Sequence, residues 1–192
     1  MIAVGPTTPL HDLRAHFLAT STRSMPLAGL FFWAFVGVMA FYLSPQQLGL
    51  LALAGPGAIF PLAMLLERLR GRPALSADSR KNPVVQMFMQ SIFLVALLVP
   101  FVIIVARMTG EADVIVLGMA ILAGIVWIPY GWGADDRAGL YHCIGRTLGC
   151  YIAFLLAPDA WRASAICAVV CLAYIYALIA MKRPDAIQEP GA

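Results

Sequence analysis

Two pairs of polar side chains lie at helical spacing inside apolar segments of the sequence. His142 and Arg146 are four residues apart in one segment, and Gln86 and Gln90 are four apart in another. Residues at this spacing share one face of an α-helix. Gln90 and Arg146 each lie about six residues, or roughly 9 Å, from the predicted start of their helices. The two pairs are therefore predicted to meet at one level and to form a polar ligand-binding site.

Arg146 is the most informative of these residues, because an arginine deep in an apolar helix costs about 2.5–3.5 kcal/mol on insertion scales. Three arrangements relieve this cost: a water-accessible polar site, a structural ion pair, or a side chain that extends to the membrane interface. Asp135 and Asp136 come just before the same helix and are candidate partners. We expect the guanidinium to lie inside the bundle, with His142, the two glutamines, the two aspartates or water as partners.

Prolines interrupt several apolar segments, and Pro61 and Pro129 fall in the same half of the chain's predicted bundle as Arg146. Proline removes one backbone donor and frees the carbonyl four residues earlier. The stretch AGPGAIFP, Ala54–Pro61, holds two glycines and two prolines, which predicts a bend in its helix. Broken helices of this kind build binding sites in transporters. A plain kink that improves packing is the alternative, and the two prolines join the candidate ligand-binding residues.

The amino-acid composition is too apolar for a soluble domain, which predicts that these segments lie in a membrane. Hydrophobic residues make up 61% of the 192 residues and charged residues 12%, with a mean hydropathy of +0.85. Ordinary soluble domains have about 45–50% and about 25%. The chain is therefore predicted to be an all-α, polytopic membrane protein. Six spans are predicted: Met25–Leu43, Leu48–Leu66, Val84–Ala106, Val114–Gly131, Leu140–Ala157 and Trp161–Met181.

The orientation follows from the distribution of lysine and arginine. With the N-terminus inside, the inner segments carry ten of these residues and the outer loops carry two, while Arg146 lies within a span. The positive-inside rule then places both termini in the cytoplasm. We expect a multi-pass protein of the cell inner membrane, with an N-terminal segment (1–24), a transmembrane domain (25–181) and a cytoplasmic tail (182–192). The N-terminal segment lacks a signal peptide's apolar core, so the first span is expected to act as the targeting signal.

The N-terminal segment has a helical pattern of its own. Leu10, Leu13, Phe17 and Leu18 fall on one face, which predicts a short helix over Pro9–Ala19 lying in the membrane interface. Thr8 is predicted to cap it, with Pro9 at the first helical position.

Catalytic and metal-binding signatures are absent from the sequence. It contains no HExxH, GxSxG or Walker motif. The four cysteines lie in predicted spans without zinc spacing, and they are interpreted as small packing residues. No cofactor or metal is predicted, and no basic face with interleaved aromatic residues indicates nucleic-acid binding.

Four short motifs together resemble a known family. They are STRSMPLAGLFFW at 21–33, IFPLAML at 59–65, NP at 82–83 and PYGW at 129–132. Their order is similar to that of a family of small bacterial membrane proteins of unknown function, over about residues 20–180. The resemblance implies six spans and no assigned activity, so it transfers no functional residues.

These observations support two main hypotheses for function. The first is a small-molecule transporter or ligand-binding membrane protein with a cytoplasm-facing polar cavity lined by spans two to five. The second is a non-catalytic accessory or structural subunit of a larger membrane complex. A membrane-embedded enzyme comes third and would require carboxylates near His142. The expected partners are the lipid bilayer, a small-molecule ligand, and a second copy of the chain or a larger complex.

Overall fold

Residues 5, 7–71 and 77–182 are described by the computed structural model, and in this part of the chain every regular element is helical. The α-helices are α1 (Leu10–Thr20), α2 (Met25–Met39), α3 (Pro45–Leu53), α4 (Gly55–Leu69), α5 (Pro83–Ala96), α6 (Val99–Thr109), α7 (Asp113–Ile125), α8 (Trp127–Gly133), α9 (Ala138–Leu156) and α10 (Arg162–Ala180). Short 3₁₀ turns occupy Ala77–Lys81 and Asp159–Trp161. Arg72, Arg183 and the tail beyond Lys182 lie outside the described residues.

The predicted all-α membrane architecture is confirmed. Within the described residues, four helical segments are long and apolar enough to cross a membrane: Pro83–Thr109, Asp113–Gly133, Ala138–Leu156 and Asp159–Ala180. Two further spans arise if each bent pair of helices counts as one, namely α1 with α2 and α3 with α4. The first predicted span differs most from the structure. α2 alone has 15 residues and reaches about 22 Å, less than the roughly 30 Å of a hydrocarbon core.

Prolines explain where the spans break. The bend predicted in the second span is confirmed, since Pro45–Leu53 and Gly57–Leu69 are inclined by 56°. α5 ends at Ala96, four residues before Pro100, and α7 ends four residues before Pro129. Ala96 and Ile125 are the residues whose carbonyls lose their helical hydrogen-bond donor when the residue four positions later is proline. Pro61 behaves differently, because α4 continues through it.

The N-terminal helix packs against the bundle. Leu13, Phe17 and Leu18 are buried with Val84 of α5 and Ala134 after α8. The helix begins one residue later than predicted, with Pro9 as its N-cap and no side-chain cap.

The centre of the bundle is the contact of α10 with α2 and α9. Val36 of α2 and Ile166 and Val170 of α10 are fully buried there. Gly29 permits this approach, because a Cβ at that position would lie 2.3 Å from Cζ of Tyr174. A side chain larger than hydrogen would require the Tyr174 ring or the helices themselves to shift.

Both ends of the described chain lie at the same end of the bundle. Arg14 Nη1 lies 2.8 Å from Asp135 Oδ1, and Lys182 Nζ donates to the Asp135 carbonyl. Arg162 and Glu111 pair at the opposite end. We call the end that carries Arg14, Asp135 and Lys182 the basic end. Its cytoplasmic orientation remains a prediction.

Candidate functional site

Arg146 lies inside the bundle. Its side chain is 1% exposed, which excludes extension to the membrane interface. The guanidinium carbon lies 5.0 Å from the ring centroid of Tyr174 and 5.6 Å from that of Trp33. Gly124 of α7 makes room for the stem, because a Cβ there would lie 3.1 Å from Arg146 Cδ. Aromatic faces attract a guanidinium, so these rings hold it in place.

His142 lies one turn before Arg146 on the same face of α9. It is 2% exposed, and its ring lies 5.0 Å from that of Trp127 and 5.5 Å from that of Tyr174. Neither ring nitrogen has a hydrogen-bond partner in the described part of the chain, although the Ala173 backbone of α10 faces the ring. The carboxylates that would favour an embedded enzyme do not converge here among the described residues.

The predicted meeting of Gln86 and Gln90 with Arg146 is wrong. Gln86 is exposed and its Nε2 donates to the Arg80 carbonyl at 3.0 Å, while Gln90 is exposed on the same helix. α5 instead packs through Val84 and its neighbours against α1 and α8. The four-residue spacing places both glutamines on one face of α5. It does not determine whether that face points into the bundle or away from it, and in the structure both side chains are exposed.

The predicted pairing of Asp135 and Asp136 with Arg146 is also wrong. Asp135 lies in the turn between α8 and α9, with a φ of 51°, and pairs with Arg14. Asp136 Oδ1 accepts from the Ala138 N–H at 2.9 Å, and its Oδ2 accepts from the Lys182 N–H at 2.8 Å. Both carboxylates therefore join segments at the basic end instead of reaching into the bundle.

A cavity opens at the basic end, and we call it the cationic cavity. Its volume is about 260 Å³, and it lies between α2, the end of α4, α8 and the end of α10. Three of its lining residues are cationic, namely Arg23, Arg70 and Lys182. The others are apolar or aromatic: Pro26, Leu27, Trp127, Tyr130, Ala177, Leu178 and Met181. These residues lie in or next to the first, second, fourth and sixth predicted spans, so the expected lining by spans two to five is only partly correct.

Hydrogen bonds fix two of the cationic groups in the cavity wall. Arg70 Nη1 donates to Ser24 Oγ at 3.1 Å, and the Ser24 N–H donates to Glu67 Oε1 at 2.6 Å. Lys182 is held through its bonds to the turn before α9. The lining described by the structure contains no carboxylate, and Asp135, whose Oδ2 lies 4.0 Å from Lys182 Nζ, is outside it. The cationic groups of the wall therefore favour a negatively charged ligand.

The two predicted prolines do not line this cavity in the described structure. Pro61 is exposed within α4, and Pro129 is half-buried in α8. Pro129 acts through the break between α7 and α8, after which Trp127 and Tyr130 form part of the cavity wall.

Sequence reasoning missed the aromatic residues and most of the cavity. Trp33, Trp127 and Tyr174 surround Arg146 and His142, yet tryptophan and tyrosine in apolar helices are ordinary core residues. Arg70 and Lys182 belong to the ten basic residues that predict the orientation, and that count does not indicate that they line a cavity.

Within the described residues, no group of three or more His, Cys, Asp and Glu side chains could hold a metal ion. The four cysteines are free thiols in α9 and α10: Cys143, Cys150, Cys167 and Cys171.

Comparison with known proteins identifies a family but no activity. No curated protein and no solved structure matches the chain. The model of a family of unknown function matches residues 10–182, nearly the whole helical region. The chain therefore belongs to this family of unknown function, DUF7010.

Proposed function

We propose that the protein binds a small amphipathic anion, with the cationic cavity as its binding site. The ligand would carry a phosphate or carboxylate group and a short apolar part. The observation that supports this is the combination of three cationic side chains with an apolar and aromatic wall in one open cavity. Such mixed lining is typical of small-molecule sites, where a few polar groups orient a largely apolar ligand.

The cavity volume limits the size of the ligand. The 260 Å³ volume corresponds to about nine waters at roughly 30 Å³ each. Drug-sized ligands occupy pockets of about 300–1,000 Å³. A glycerol phosphate group or a short carboxylate is of suitable size. The same phosphate chemistry is present in a free phosphate ester and in the headgroup of an anionic phospholipid.

The position of the cavity supports ligand entry from one side. It lies at the basic end, where Arg14 and Lys182 also meet Asp135. The positive-inside rule predicts that this end faces the cytoplasm. Basic pockets between helices on that side bind anionic headgroups in other membrane proteins. Transport of the bound anion would be a further step of the same function.

Native mass spectrometry of the full chain in detergent micelles tests the proposal. The probes are phosphatidylglycerol, glycerol 3-phosphate and octanoate. We expect one probe molecule per chain, and Arg70→Gln should weaken its binding about tenfold, because it removes a positive charge from the cavity wall. Arg68→Gln is the matched control, since Arg68 is exposed two residues earlier and does not line the cavity.

Retention of phosphatidylglycerol alone would assign the site to a lipid headgroup, and retention of the free anions would assign it to a soluble ligand. Equal losses in the two variants would overturn the proposal, because they would indicate nonspecific charge attraction. Failure to retain any probe would overturn it as well.

An accessory role in a membrane complex is the second candidate. The observation that favours it is the span Pro83–Thr109, in which only 6% of the most apolar window is buried. Lipid covers such a face in a monomer, whereas a partner helix covers it in a complex. The particle mass after extraction in a lipid-preserving polymer distinguishes them, because a monomer mass would exclude a stable complex.

A further inference from the structure

Three side chains at the centre of the bundle carry buried nitrogen atoms that lack hydrogen-bond partners among the described residues. Arg146, Trp33 and His142 are 1%, 1% and 2% exposed. All three guanidinium nitrogens and the indole nitrogen lack a hydrogen-bond partner in the described chain, and the imidazole has only the Ala173 backbone facing it. We call these three residues the donor cluster. Most buried polar groups in proteins are hydrogen-bonded, so such a concentration of unpaired groups requires an explanation.

The donor cluster is one contiguous unit. Arg146 of α9 contacts the Trp33 ring of α2 and the Tyr174 ring of α10, and His142 contacts Tyr174 as well. The indole and guanidinium nitrogens can only donate hydrogen bonds, and a neutral imidazole adds one further donor. A partner for this cluster must therefore accept hydrogen bonds.

The charge of Arg146 also has no carboxylate bonded to it among the described residues. A guanidinium stays protonated in proteins. It makes no hydrogen bond to a carboxylate in the described residues. Ionisable groups that feel its charge include His142 and the thiols of Cys143, Cys150, Cys167 and Cys171. A thiol has an ordinary pKa of about 8.5 and is neutral at pH 7. None of these groups supplies a negative charge.

The two aromatic contacts do not offset this imbalance. A cation–π contact is weaker than an ordinary ion pair. Burial of an ion and of several unpaired donors costs more free energy than two such contacts return. A bound anion would supply both the missing charge and the missing acceptor.

We propose that the donor cluster binds a small inorganic anion of the halide class, with chloride as the physiological candidate. A small anion fits best, because the three side chains are at most 2% exposed and therefore offer no open cleft for a larger ligand. Arg146 supplies the positive charge and most of the hydrogen-bond donors for the anion, and Trp33 and His142 supply further N–H donors.

This site goes beyond the proposed function and does not depend on it. Trp127 lines the cationic cavity and also contacts His142, with ring centroids 5.0 Å apart. It therefore lies between the cavity and the donor cluster. An anion at Arg146 and an amphipathic ligand at Arg70 are separate binding events with separate variants.

Bromide is the probe for the test. The full chain is purified in sodium gluconate, and its thermal midpoint is followed as bromide replaces gluconate at constant ionic strength. We expect a saturable rise in the midpoint, because a ligand that binds only the folded state stabilises it. Crystals soaked in bromide should show an anomalous peak in contact with the Arg146 guanidinium.

Arg146→Gln should weaken the apparent bromide affinity at least tenfold. Arg162→Gln is the matched control and should keep the wild-type response, because Arg162 pairs with Glu111 and Asp113 at the opposite end. Should Arg146→Gln fail to fold, Trp33→Phe keeps an aromatic ring without the indole N–H and should weaken binding severalfold.

A midpoint that does not depend on bromide, with no anomalous peak at Arg146, would overturn the proposal. A wild-type response in Arg146→Gln, or an anomalous peak only at another position, would overturn it too. Neither result would bear on ligand binding in the cationic cavity.

Discussion

Asn82 joins the N-terminal helix to the third span, and its replacement by alanine tests how that helix is held. The side chain is completely buried. Its Oδ1 accepts from the Val84 N–H at 2.9 Å and so caps α5. Its Nδ2 donates to the Leu13 carbonyl at 2.7 Å and lies 3.1 Å from His16 Nδ1. Asn82→Ala removes all three interactions together.

The expected loss of unfolding free energy is about 3 kcal/mol. Loss of an N-cap costs about 1 kcal/mol. Each further hydrogen bond contributes about 1 kcal/mol net, and His16, which is itself buried, loses its partner. Asn82→Ser should lose about 2 kcal/mol, because serine can still cap α5 but is too short to reach Leu13 and His16.

Titration with sodium dodecyl sulfate in mixed micelles measures these free energies. Gln86→Ala serves as the control, because that amide is exposed and bonds only within its own segment. It should leave stability almost unchanged. A loss below about 0.5 kcal/mol for Asn82→Ala would refute the reasoning, since buried hydrogen bonds of ordinary strength could not then hold α1 to α5.

Three other predictions concern the bundle itself. Gly139→Ala should destabilise the protein by about 1–3 kcal/mol in the same titration, because its Cβ would lie 2.2 Å from the Trp127 carbonyl oxygen and 2.8 Å from Gly131 Cα; unchanged stability would contradict this close packing. Glu67→Gln should cost about 1–2 kcal/mol, because it weakens a buried charge-assisted bond to the Ser24 N–H; a stabilised variant would contradict that role. Cysteines introduced in the loop after α4 and at the C-terminus should not react with a membrane-impermeant thiol reagent added outside intact cells. Rapid labelling of either cysteine would contradict the predicted cytoplasmic position.

Local rules predicted the helical elements well. Long apolar segments mark the spans because unpaired backbone groups are excluded from lipid, so each segment must be helical. The breaks before Pro100 and Pro129 follow from the missing proline donor. The α1 helix was predicted within one residue of its observed limits, because its apolar spacing is a local property.

The candidate site was only partly predictable. Arg146 was correctly placed inside the bundle, because the cost of exposing it to lipid is a property of one side chain and its depth. Its neighbours were not predicted. Gln90 and Asp135 were expected beside it, but α5 turns its glutamines outward and the turn after α8 directs Asp135 towards Arg14.

The sequence by itself determined the membrane class, most helical segments, the breaks before Pro100 and Pro129, and the burial of Arg146. Each of these depends on residues that are close along the chain. Only the tertiary structure decided that Trp33 and Tyr174 lie against Arg146 and that Arg70 and Lys182 share one cavity. Those contacts depend on the rotation and crossing of helices, which are set by close packing at positions such as Gly29 and not by the spacing of polar residues.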